Sequence, residues 1–272
     1  MRVLLASEPS AANRPNEDFG AVAPGTAVLL DGAGYVPDTD TGCVHGVAWY
    51  ARTLGGLLAA RANDTAVQLP EVASQAIEQV CHMHAETCDL RHPDTPGATV
   101  IITRQHAGVL EYLVLCDSVL LLQSRHDEPR AITDPQLGDI IASLRPSRGL
   151  PAGTPEHDAA WRTYAKQLVE ARNQAGGFWL AAADPAAAWH ARTGREPMSD
   201  LSAVALLSDG ASRLVDRFHL ATWAGICGIL DEEGPSGLIR QVRAAEAADP
   251  HGRRWPRRKI HDDATAIYWQ FD

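Results

Sequence analysis

Three short segments, far apart in the chain, each set an aspartate at the end of an apolar run: Thr26-Ala-Val-Leu-Leu-Asp31-Gly32-Ala33-Gly34, Ala205-Leu-Leu-Ser-Asp209-Gly210, and His261-Asp262-Asp263-Ala-Thr-Ala-Ile-Tyr-Trp269. Runs of this kind read as buried strands. An Asp-Gly at the end of one puts a carboxylate at the rim of the core, on a backbone free to turn sharply. Gathered at one end of a sheet, such acids would repel; at about 4 Å and an effective dielectric near 20, a like pair costs roughly 4 kcal/mol. A hard divalent cation removes that cost, and oxygen-only ligands suit Mg²⁺ or Mn²⁺. The chemistry implied is metal binding, with metal-assisted hydrolysis as its use. Taken singly, each Asp-Gly is also a common hairpin turn.

The elements that must position these acids follow from hydrophobic period. Strands are expected at 2–7, 19–22 and 26–30, then helices at about 41–62 and 70–88, the second opening on Pro70. Strands return at 98–104, 109–115 and 119–124, which read as an antiparallel meander. The Pro-, Gly- and charge-rich stretch 126–158 reads as a long surface excursion. A helix at 158–173, a strand at 178–182, a short Ala-rich helix near 185–193, a strand at 201–207, helices near 217–231 and 235–247, a basic loop at 251–260 and a strand at 264–270 complete the order. Strict β-α-β alternation is absent, so an α+β layered fold is expected, with antiparallel sheets packed together and helices outside.

Bulk properties bound the function. The 272 residues sit near the upper limit for one hydrophobic core, and no repeat or low-complexity tract divides them, so residues 1–272 are expected as one domain. The net charge of −10 argues against nucleic acid as the main partner. Five cysteines without regular spacing suggest free thiols and a reducing compartment. No apolar run is long enough to span a membrane, so a cytoplasmic protein without a membrane partner is expected.

Asn16-Glu17-Asp18 follows the turn-like Asn13-Arg14-Pro15, and by itself would be a solvated loop. With Asp31-Gly32-Ala33-Gly34, Gly97-Ala98-Thr99, Leu115-Cys116-Asp117-Ser118, Ser208-Asp209-Gly210 and Asp262-Asp263-Ala264-Thr265, it forms six elements in a fixed order. In that order they resemble the metal-dependent protein phosphatases of the PP2C (PPM) family, in its bacterial branch, from about residue 10 to the end. The resemblance implies a four-layer αββα sandwich of two central antiparallel sheets flanked by helix pairs, with a two-metal centre at one edge. It implies Asp31 bridging two Mg²⁺ or Mn²⁺ ions, Glu17 and the Gly32 carbonyl on one ion, and Asp209 and Asp262 on the other. Arg14 is implied at the phosphate and Asp117 at a further, doubtful metal position. A metal-activated water would then attack the phosphoserine or phosphothreonine of a phosphorylated protein substrate.

The chain departs from the family pattern at several places. Asn13 stands where the phosphate-binding arginine is typical, with Arg14 one position later. Ala33 stands where some members carry a histidine that protonates the leaving group; His45 or His261 are the candidate substitutes. Cys116 replaces a glycine, Tyr35 replaces a frequent glycine, and Arg213 stands where some members carry an aspartate for a third metal. These departures keep a second reading open: a catalytically weak or inactive module that binds a phosphoprotein partner.

Two clusters remain. Cys81, His84 and Cys88 share one face of the second helix, but a helix offers poor geometry for three zinc ligands and no fourth is evident, so packing is the reading taken. The basic run Arg253-Arg254-Trp255-Pro256-Arg257-Arg258-Lys259 is either a solvated loop or a cationic rim beside Asp262 that attracts an acidic, phosphorylated partner.

Overall fold

A computed structural model of the chain describes residues 2–34, 40–144, 150, 154–257 and 259–271. The strand Thr26–Leu30 is buried along its whole length. Ala27 and Leu29 join one apolar cluster, while Val28 and Leu30 join another. Successive strand side chains point to opposite faces, so a strand apolar at every position needs cover on both sides. That requirement builds the whole architecture.

In chain order come β1 (Arg2–Glu8), β2 (Phe19–Ala23), β3 (Thr26–Leu30), β4 (Gly32–Ala33), α1 (Val47–Arg61) and α2 (Leu69–His84). Then follow β5 (Gly97–Ala98), β6 (Val100–His106), β7 (Val109–Leu115), β8 (Val119–Ser124), β9 (Arg130–Ile132), α3 (Gln136–Leu144) and α4 (Pro155–Ala171). The order closes with β10 (Arg192–Pro197), β11 (Leu201–Leu207), α5 (Asp209–Asp216), α6 (Trp223–Ala248) and β12 (Ala264–Gln270).

One five-stranded sheet runs β1-β12-β11-β8-β9 and the other β10-β7-β6-β3-β2, with antiparallel pairing throughout. Between them lie Leu29, Ile101, Val114, Leu120, Leu206, Ile267 and Trp269. On the outer faces, α1 and α2 cover the second sheet through Tyr50, Leu54, Leu58, Val72 and Ile77. On the first sheet, α5 and α6 do the same through Leu214, Ile226, Leu230, Ile239 and Val242. Each such fully buried aliphatic side chain contributes about 1.5–3 kcal/mol. The result is the expected α+β sandwich of four layers, helix–sheet–sheet–helix.

Several expectations are corrected. The strands at 98–124 do not form one meander: β7 lies in the second sheet and β8 in the first. The chain crosses over at Cys116, whose φ of 71° turns it out of the strand. Residues 41–46 are not helical, because Gly42 and Gly46 both take left-handed φ values and α1 begins only at Val47. Asp209-Gly210 opens a helix rather than a hairpin turn. The 178–182 stretch makes only isolated bridges, while β10 was missed because its residues are mostly polar and half-exposed. Within the 126–158 excursion lie β9, α3 and the start of α4; 145–149 and 151–153 fall outside the described residues, as do Tyr35 and Arg258. Non-helical Gly234, at φ 69°, and Pro235 split α6 into the two helical segments expected, but the first begins at Trp223 and not near 217. Cys81 turns away from His84 and Cys88, towards the carbonyls of Ala182 and Ala183.

Candidate metal centre

Asp31 ends β3 at the edge of the sandwich. Its backbone N–H donates to Thr99 Oγ1 at 3.2 Å, and its carbonyl accepts the Thr99 N–H at 2.8 Å. Thr99 Oγ1 lies 2.6 Å from Ser118 Oγ, which is wholly buried. Two of the sequence elements, the Ala98-Thr99 turn and the Asp117-Ser118 pair, thus fix the backbone of a third. Asp209 begins α5, and its N–H donates to Asp31 Oδ2 at 3.2 Å. The end of β11 is tied to the start of β12 because Ser208 N–H donates to the Thr265 carbonyl and Thr265 N–H to Ser208 Oγ. Glycine is required at 210, where any Cβ would drive into the Asp263 carbonyl, and at 32, where one would sit 2.5 Å from the Glu17 carbonyl.

The N-terminal element is held by the opposite end of the chain. Asp263 accepts the Ser10 N–H at 2.6 Å on one oxygen and the Glu17 N–H at 3.1 Å on the other. This brings Glu17 beside Gly32 and buries Asp18. Neither Asp18 oxygen has a well-aligned hydrogen-bond partner. Burial pushes its carboxyl up to about 8 against the pull of the nearby Thr265 and Ser208 hydroxyls, with Asp209 and Asp263 adding to the rise. Asp18 and Asp263 lie in the same sequence elements as Glu17 and Asp262, the acids that the resemblance implies as ligands. Which member of each pair points inward depends on strand phase, and that phase shows only once the strands are paired.

The acids form one electrostatic unit. Burial raises Asp31 well above the usual carboxylate range, and the charges of Asp18, Asp209, Asp262 and Asp117 raise it further. Asp117 is pushed up to about 7, mainly by burial and then by Asp209. Asp209 is raised by burial and Asp262, with Arg213, Lys259 and Arg217 opposing. Half-buried to buried carboxylates that repel one another and offer only oxygen fit a hard divalent cation. Among the described residues, however, no three of them bring oxygens within 4.8 Å of one another.

Asp262 is the arm held back. Its Oδ2 accepts from Arg213 Nη2 at 2.7 Å and its Oδ1 from Lys259 Nζ at 2.6 Å. Arg213 also reaches Glu246 Oε1 at 2.6 Å, and Glu246, wholly buried, is further bonded by Arg243 at 2.8 Å and His261 at 2.7 Å. His261 joins this network through Nδ1, and His45 lies with Cys43, His84 and Cys88. The basic run is divided: Arg257 is buried against Asp249 and Lys259 is paired with Asp262, while Arg253 and Arg254 are exposed. Arg14 is exposed, on a turn where its N–H donates to the Ala11 carbonyl.

The sequence pattern described as Protein phosphatase 2C matches residues 10–243, most of the chain and five of the six elements. The chain belongs to the protein phosphatase 2C family. Solved structures of the same fold include a bacterial serine phosphatase, 16% identical, with a TM-score of 0.63 and coverage of 100% of this chain and 98% of that one. The Mycobacterium tuberculosis serine/threonine phosphatase PstP/Ppp is 15% identical, with a TM-score of 0.61 and coverage of 100% and 98%. The catalytic domain of PstP in complex with two manganese ions is 15% identical, with a TM-score of 0.58 and coverage of 99% and 97%. No curated protein matches the sequence. Asp262 and Asp263 lie beyond the residues matched by the protein phosphatase 2C pattern. No helix among the described residues is long and apolar enough to cross a membrane.

Proposed function

We propose that the chain is a Mg²⁺- or Mn²⁺-dependent phosphatase for phosphoserine or phosphothreonine in proteins. The observation that carries the reading is the set of Asp18, which is buried, with Asp31, Asp209 and Asp117, which are half-buried: the carboxyls all rise because partial desolvation and mutual repulsion leave them short of positive charge. Glu17, the Gly32 carbonyl and Asp31 would hold one cation, and Asp31, Asp209 and Asp262 the second, with Asp117 beside them. When bound, the cations supply an activated water and offset charge on the phosphoryl oxygens. The Thr99–Ser118 hydroxyl pair holds Asp31 in place, and the Asp209 N–H fixes the orientation of its Oδ2. Asp18, pushed up to about 8, keeps its proton in most molecules at neutral pH and Asp117, at about 7, in about half; both give it up as positive charge arrives. Arg14, which is exposed, would meet the phosphate of an incoming phosphopeptide.

A phosphothreonine peptide incubated with Mn²⁺ should release phosphate, and chelation, Asp31→Asn or Asp209→Asn should each reduce the rate by on the order of a hundredfold or more. Turnover that survives chelation and both substitutions would overturn the reading.

The Arg213 and Lys259 contacts to Asp262 favour a second reading, a phosphoprotein-binding module with weak turnover. Calorimetry separates the two. Phosphopeptide and Mn²⁺ binding without phosphate release supports the module; release under the same conditions supports the enzyme.

A further inference from the structure

Away from the acids, four side chains from two separated segments converge. Cys43 and His45 lie in the non-helical loop before α1; His84 is the last residue of α2, and Cys88 follows one turn later. Cys43 Sγ is 3.3 Å from Cys88 Sγ, 3.7 Å from His84 Nδ1 and 3.9 Å from His45 Nδ1, and His45 Nδ1 is 3.3 Å from Cys88 Sγ. All four ligand atoms lie within 4.8 Å of one another. A tetrahedron with Zn–S near 2.3 Å and Zn–N near 2.0–2.1 Å has edges of about 3.4–3.8 Å. The observed separations bracket those edges.

We propose that Cys43, His45, His84 and Cys88 bind one zinc ion in a closed, structural site. Two thiolates with two imidazoles in tetrahedral array select zinc over the hard cations that suit the aspartates. Backbone N–H groups of His45 and Gly46 are directed at the Cys43 sulfur, and that of Val44 at Cys88. Plain packing does not account for the group, since Val44 and His45 are exposed and Cys43 and Cys88 only half-buried. Trp49 covers one side, stacked on the His45 ring at 4.3 Å and tilted against His84 at 5.1 Å.

The site joins the entry of α1 to the exit of α2, and Asp89 N–H bonds the Gly42 carbonyl at 2.7 Å beside it. The bound ion therefore staples together the two helices that cover the second sheet, and does no chemistry on substrate.

The test is the metal content of the full chain, purified without chelator and dialysed against a buffer that removes Mn²⁺. About one zinc per chain should remain, and it should remain equally in Asp31→Asn. Cys43→Ser with Cys88→Ser should abolish it, and the exposed His45→Ala should weaken zinc binding by about tenfold or more. Because the cysteine variants also risk misfolding, the wild-type chain reconstituted with Co²⁺ provides a second readout: thiolate-to-cobalt charge transfer and tetrahedral ligand-field bands. Zinc that disappears with Asp31 instead of the cysteines, zinc well below one per chain, or a recovered Cys43–Cys88 disulfide without zinc each overturns the proposal.

Discussion

Arg213 Nη2 lies 2.7 Å from Asp262 Oδ2, so a cation of the chain itself already sits on an acid that the sequence resemblance implies as a metal ligand. The guanidinium is 8% exposed and bridges to Glu246, which is fully buried. Removing it takes one cationic partner from each acid, leaving Asp262 with Lys259 and Glu246 with Arg243 and His261. Arg213→Met should therefore lower stability by about 1.5–3 kcal/mol in denaturant unfolding, the worth of a charge-assisted hydrogen bond in a buried site.

Lys259 grips the other oxygen of Asp262 but is one-third exposed, so its ion pair contributes little to stability. Lys259→Gln should leave the unfolding midpoint within about 0.5 kcal/mol of the parent. It should also tighten Mn²⁺ binding severalfold in a titration, because Asp262 loses one competitor. Unchanged or weaker Mn²⁺ binding would show that Asp262 does not face the cation.

The acids around Asp31 predict an unusual dependence on pH. Asp117 and Asp18, at about 7 and about 8, hold protons in the metal-free fold that an unfolded aspartate, near 3.9, has long released. A raised folded-state pKa gives stability that is full below the unfolded value and is lost as pH climbs through the folded one. The melting temperature of chelator-treated protein should thus fall by several degrees between pH 6 and pH 9. Added Mn²⁺ should reverse the fall, since it binds the ionised acids. Asp117→Asn should flatten the metal-free profile.

Gly210 packs against the Asp263 carbonyl with no room for a methyl group. Gly210→Ala must push α5 away from the start of β12, at a cost of about 3 kcal/mol or more. The expected signature is a loss of Mn²⁺ affinity together with the loss of stability, because Asp209 moves with the helix.

Cys116 occupies a left-handed backbone position, φ 71°, where a side chain costs about 1–2 kcal/mol. Cys116→Ala keeps that strain and loses the packing of the sulfur, whereas Cys116→Gly loses the sulfur but relieves the strain. Glycine should therefore be the less damaging replacement by about 1 kcal/mol in equilibrium unfolding.

The layers were legible because the strands are predominantly apolar runs: β7, β8, β11 and β12 fall on the residues expected from the sequence alone. The break between β7 and β8 was not, since a cysteine gives no sign that it will take a glycine conformation. At the acids, Asp31 and Asp209 could be found from their place after a strand. The pairing of Asp262 with Arg213 depends on a contact across 49 residues, and nothing local announces it. The thiol and imidazole cluster was half visible, as His84 and Cys88. Cys43 and His45 lie some forty residues earlier, in a loop whose glycines were read through as helix.

Strand β1 opens the described chain, yet the only strand it is hydrogen-bonded to is β12, near the end. Asp263, just ahead of β12, also supplies the carboxylate that holds Ser10 and Glu17. During synthesis, β1 must wait for β12 before it has that neighbour. Nascent chains cut short before residue 263 therefore carry an unpaired sheet edge and a loose Glu17 loop, a form open to chaperones and proteases.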